Sequence, residues 1–175
     1  MNNRIRRVKA LALAAVFAGC AAWNCVAGAP DSDAIGQRIA TALNDQDVAA
    51  MEAAVDVESL GHSLSRDLGL NQAETKSFVE GLRKGMRRNL EGGMQQFAQK
   101  QGVARFMRSA SRDGKPYVLV RIEYKGDEGG FDYVEYYLSG SRTVEDWYTH
   151  SRGSRASTAM AVVMSSMLRK DGILG

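Results

Sequence analysis

A chain of 175 residues is long enough for one ordinary domain with its own core and too short to expect two. It carries 23 Lys and Arg against 20 Asp and Glu. Four of those cations, Arg4, Arg6, Arg7 and Lys9, stand in an acid-free leader; without them 19 basic residues face 20 acidic ones, which removes any general electrostatic case for nucleic-acid binding.

The leader continues as an apolar run from Ala10 to Trp23, too short to span a bilayer comfortably. A basic stretch followed by such a run is the pattern of a secretory signal. Two exits from it are open. Phe17-Ala18-Gly19-Cys20 resembles the bacterial lipobox, in which the Cys receives lipid and becomes the new N-terminus, although Phe17 stands where Leu, Val or Ile is usual. The other exit is signal-peptidase cleavage near Ala27 to Ala29. The expected organisation is therefore a signal peptide over 1–29, or 1–19 with Cys20 lipidated, followed by one domain over 30–175. The expected location is the periplasm or a lipid anchor on a cell-envelope membrane of a bacterium. The only two cysteines, Cys20 and Cys25, lie in this region, so the domain beyond it has no disulfide, no thiol nucleophile and no Cys-based metal site.

Pro30, Asp31, Ser32 and Asp33 have the chemistry of a helix start, and Ile35, Ile39, Ala42 and Leu43 fall on one face of the helix they open. Asn44 to Asp47 breaks that helix. A short segment with Val48, Met51, Ala54 and Val55 comes next, then one over Val57 to Leu68. Asn71 and Glu74 form a capping-box pattern for the longest helix, Gln72 to about Gln99. Its apolar stripe is Phe78, Leu82, Met86, Leu90, Met94 and Phe97, and the basic residues Arg83, Lys84, Arg87 and Arg88 lie off it. Gly81, Gly85, Gly92 and Gly93 weaken this helix and predict close packing or a break at Gly92-Gly93.

Four alternating runs follow: Val103 to Ala110, Tyr117 to Lys125, Phe131 to Ser139 and Thr143 to His150. Asp113-Gly114 is a strong hairpin signal between the first two. The pattern predicts an antiparallel meander. Val118, Val120, Ile122, Tyr124, Val134, Tyr136 and Leu138 take the helix-facing side; Tyr117, Leu119, Tyr133, Tyr137 and Trp147 are read as an aromatic patch on the other, able to support a homodimer or a protein partner. Ser154 is expected to cap a final helix from Arg155 to Lys170. The fold class is thus α+β: N-terminal helices on a curved four-stranded antiparallel meander, with a C-terminal helix.

Helices followed by such a meander resemble the cone-shaped fold of nuclear transport factor two, ketosteroid isomerase and the polyketide-cyclase-like proteins. The likeness rests on Ala42 to Met51, similar to a stretch near the start of that superfamily, and on Thr143 to Tyr148, similar to the last-strand V-x-D-x-Y of exported bacterial domains of this build. It implies a pocket between sheet and helices, lined by Tyr124, Asp132, Tyr136, Asp146 and Tyr148. Asp146, placed between Val144 and Tyr148 on one strand face, is expected to be partly desolvated with a raised pKa. With Tyr136 or Tyr148 it is the candidate catalytic carboxylate. The competing reading is that Asp146 bonds Tyr136 or a helix N-terminus and closes a polar spot.

Other chemistry lacks its residues. His62 and His150 are the only histidines and stand far apart, so neither a metal nor a cofactor is expected. Ser139-Gly140-Ser141 is a turn without the Gly-x-Ser-x-Gly elbow. The sequence therefore points to an exported, non-catalytic binding domain for a small apolar ligand or a protein partner. An isomerase-like or cyclase-like enzyme and an accessory module of a larger envelope assembly are the alternatives.

Overall fold

Apolar residues at helical spacing give way at Gly102 to apolar residues at every second position, and the chain changes from helices to sheet at that point. The computed structural model describes residues 30–126, 129–140 and 142–170. The expected signal segment, Cys20 and the last five residues lie outside the described residues. In chain order the elements are α1 (Pro30–Asp45), α2 (Val48–Ala54), α3 (Val57–Asp67), α4 (Gln72–Gln99), β1 (Gly102–Arg112), β2 (Lys115–Tyr124), β3 (Gly130–Ser139), β4 (Thr143–Thr149), β5 (Ser154–Arg155) and α5 (Ala156–Lys170). This is an α+β fold, with an antiparallel sheet in the order β1-β2-β3-β4-β5.

Local chemistry sets the helix boundaries. Asp47 and Asp56 accept the backbone N–H groups of Ala50 and Ser59, each at 2.9 Å, and so open α2 and α3. Asn71 and Glu74 make a full capping box at the head of α4, with Glu74 taking the Asn71 N–H at 2.8 Å. Contrary to expectation, α4 runs unbroken through Gly92-Gly93. Nor do its glycines mark tight packing, because a Cβ at Gly81, Gly92 or Gly93 would meet open space. The close helix contact comes from Gly61 on α3, where a Cβ would stand 2.8 Å from a methyl of Val79.

Asp113 and Gly114 both have positive φ, 52° and 76°, the backbone of a two-residue hairpin whose twist matches that of its strands. The strands exceed the four expected by one short piece. Ser154–Arg155 pairs with Tyr148 and Thr149, so Ser154 begins a strand and does not cap the last helix.

One apolar cluster joins the layers. It includes Ile39 of α1, Leu60 and Leu64 of α3, Met86 and Met94 of α4, Val118 and Val120 of β2, Tyr136 of β3 and Val144 of β4. The outer strand β1, and β4 at the end that β5 does not cover, are engaged by the chain's own helical region. The Asn44 side chain accepts the Ala104 N–H at 2.7 Å and donates to its carbonyl at 2.9 Å, as a neighbouring strand would. At the other side Val55 bridges Val144, and the Asp56 N–H donates to the Val144 carbonyl at 2.8 Å.

Candidate ligand chamber

The apolar stripe of α4 does not close fully on the sheet. Between them lies a cavity of about 380 Å³, within the range of small-molecule sites. Leu82, Met86, Leu90, Gly93, Met94 and Phe97 of α4 form one wall, and Ile122, Tyr124, Tyr136 and Trp147 of the sheet form the opposite one. Met86 and Met94 are both buried and belong to the core cluster as well as to this wall. Leu43, Met51 and Val55 close one side and Met160 of α5 contributes to another. Polar groups come from Asn89, Gln96, Lys100 and Arg152.

Of the five residues expected to line a pocket, Tyr124 and Tyr136 do so. Burial pushes the Tyr136 hydroxyl well above the ordinary tyrosine range, with the nearby Tyr124 adding to the effect. Tyr124 is also raised, first by burial and then by the charge of Asp132, while Arg152 pulls it the other way.

Asp132, Asp146 and Tyr148 are not in the cavity wall. Asp132 accepts the N–H of Ser151 at 3.0 Å and its hydroxyl, which fastens the turn after β4. For the other two the cause is a β-bulge. Tyr137 pairs with Asp146 but Leu138 pairs with Val144, so Glu145 is the extra residue and the alternation slips there by one. Val144 stays in the core, Trp147 turns to the chamber opposite Tyr136, and Asp146 and Tyr148 fall on the side of Tyr137 and Glu135. The shared face expected for Val144, Asp146 and Tyr148 is therefore not formed. Asp146 is buried at the start of α5, where it accepts the Ser157 N–H at 3.1 Å and its hydroxyl at 2.7 Å.

The same slip corrects the aromatic patch. Trp147 is not part of the sheet's outer face, and Tyr117 and Tyr137 there are only 6 % and 2 % exposed. They are covered by charge. Glu135, 2 % exposed, accepts Arg112 at 2.8 and 2.9 Å and the Tyr137 hydroxyl at 2.8 Å, and its Oε1 lies 3.0 Å from His150 Nε2. The guanidinium of Arg112 sits over Tyr117 and that of Arg155 over Tyr137. Both oxygens of Glu135 are thus fully engaged, an arrangement that spans β1, β3 and the end of β4.

Lys100, Arg152 and Trp147 were missed by sequence reasoning as site residues. Lys100 follows Phe97 at the helical step of three and so continues the α4 stripe by one polar position, a signal that was available. Arg152 lies in a turn, where no periodicity exists to place it.

No protein-family model matches this chain, and no significant match to a curated protein or to a solved structure was found.

Proposed function

We propose that this protein is an exported, non-catalytic binding domain that holds a small apolar ligand in the chamber between α4 and the sheet. The observation that carries the reading is the chamber itself: about 380 Å³, walled mainly by Leu, Met, Phe and Trp side chains. Binding is favoured over an isomerase-like reaction because no Asp, Glu or His is among the described residues that line it. An acid-base reaction there would find no carboxylate in the described wall; Asp132 is bonded to Ser151, and Asp146 is committed to α5.

Gly93 gives the test a clean handle, since a side chain there would extend into open space along the chamber wall. The mature chain should take up the apolar fluorophore N-phenyl-1-naphthylamine, and Gly93→Leu should take up much less while unfolding at the same or a higher temperature. Uptake unchanged by the substitution would reject the chamber as the binding site. Export itself rests on the leader sequence. Metabolic labelling with a palmitate precursor, in wild type and Cys20→Ala, separates a lipid-anchored form from a soluble secreted one.

A second reading, a protein partner or second copy on the outer sheet face, is favoured by Phe131 and Met107, which are 60 % and 48 % exposed. Sedimentation of wild type beside Phe131→Glu tests it: identical monomeric profiles would remove the self-association half of that reading. An accessory module of an envelope assembly would use the same face.

A further inference from the structure

The polar groups of the chamber are not spread evenly around it. Lys100, Tyr124 and Arg152 gather at one end, where the last turn of α4, the last residue of β2 and the turn between β4 and β5 come together. The Lys100 Nζ stands 5.6 Å from the centre of the Tyr124 ring, and the Arg152 charge is close enough to ease ionisation of the same tyrosine. Main-chain bonds fix the backbone from which both cations extend. The Lys100 N–H donates to the Gln96 carbonyl at 3.1 Å, the Lys100 carbonyl accepts from Gly126 at 3.3 Å, and the Arg152 N–H donates to Thr149 at 3.2 Å.

Among the described residues neither side chain has an acidic partner within ion-pair distance. The carboxylate whose charge is felt at Tyr124, that of Asp132, is bonded to Ser151. A lysine at a helix C-terminus is also what the helix dipole favours, and that alone would account for Lys100. It does not account for Arg152, which belongs to no helix. Two cations at one end of a mainly apolar cavity are the complement of a molecule with one anionic end and an apolar body.

Building on the chamber proposed above, we infer that its ligand is an amphiphile with a single anionic head, such as a carboxylate, seated between Lys100 and Arg152, with its apolar tail along Met86, Leu90 and Met94. Tyr124 supplies a hydroxyl beside the head and Gln96 an amide.

Laurate and lauryl alcohol share a tail and differ in the head, so displacement of N-phenyl-1-naphthylamine by each separates head recognition from apolar burial. Wild type should bind laurate about tenfold more tightly than the alcohol or better. Lys100→Gln with Arg152→Gln, both at exposed positions, should abolish the preference by weakening laurate about tenfold more than the alcohol. Equal affinities in wild type, or a preference that survives the double substitution, would overturn the anionic head while the apolar chamber stood. Failure of both compounds, together with no effect of Gly93→Leu on the fluorophore, would instead remove the chamber reading underneath. Phosphatidylglycerol vesicles offered in place of laurate identify the source. Displacement by vesicles as well as laurate points to a membrane lipid, displacement by laurate alone to a free acid, and either result supports the inference.

Discussion

Asp146 and Ser157 are eleven residues apart, yet the carboxylate of the first takes both the backbone N–H and the hydroxyl of the second, at 3.1 and 2.7 Å. The cap of the last helix is thus supplied from β4, across the short strand β5 that leads into it. Its backbone neighbour Trp147 adds a third bond to the same carboxylate at 2.8 Å.

Replacing Asp146 with Ala should therefore cost about 1–2 kcal/mol of stability, the usual worth of a lost cap, and should leave ligand uptake by the folded protein unchanged. Asp146→Asn keeps one acceptor and should lose less. Urea unfolding followed by circular dichroism, with fluorophore titration of the same samples, reads both quantities. A variant that kept its stability but lost binding would return Asp146 to the site.

The two partners of the outer-face ion pair should respond unequally. Arg112→Gln leaves a buried carboxylate without its counter-charge and should destabilise by about 3 kcal/mol or more. Glu135→Gln leaves a half-exposed guanidinium that water can solvate, and about 1 kcal/mol is expected. Denaturant midpoints of the two variants, measured side by side, check the order; the reverse order would mean that another cation serves Glu135.

High pH should unfold the protein through Tyr136. Its pKa is raised from the ordinary 10.0 by burial, so the neutral form is the one the fold keeps, and the unfolded chain ionises first. The folded state holds its full stability below pH 10.0 and loses it progressively as pH rises above that value. Tyr137, raised by burial and then by its bond to Glu135, pulls in the same direction. Tyr136→Phe should flatten the decline. Unfolding free energies on either side of pH 10.0, with tyrosinate absorbance as a second readout, supply the comparison.

Gly61 and Gly81 should part company when each is changed to Ala. At Gly61 the new Cβ meets a Val79 methyl at 2.8 Å and forces α3 from α4, at about 1–3 kcal/mol. At Gly81 it meets nothing, and the helix gains about 1 kcal/mol from the lost flexibility of glycine. Thermal melts that shift in the same direction would contradict the packing described for this pair of helices.

Much of the fold was legible because its signals are local. Asn71 and Glu74 lie three residues apart and cap α4 by themselves, and Asp113-Gly114 turns a hairpin by backbone preference alone. The face assignments in β2 and most of β3 follow from strict alternation, and they hold. What stayed hidden depends on pairing across strands. Read along the sequence, Val144, Asp146 and Tyr148 alternate without fault; only the register against Tyr137 and Leu138 makes Glu145 surplus and exchanges Asp146 for Trp147 in the chamber. The odd spacing from Val144 to Trp147, the two most apolar positions of that strand, was the one hint of a phase slip. The burial of Glu135 was likewise invisible, because its main partner Arg112 lies 23 positions away on a strand that is not adjacent.

The amide of Asn44, set against Ala104 like one rung of a missing strand, also bears on how the molecule keeps to itself. With that rung filled, and with Val55 and Asp56 lodged beside Val144, a stranger's backbone finds the main-chain groups of Ala104 and the Val144 carbonyl already taken. At these two places main-chain templating by a second copy would first have to peel the helical region away.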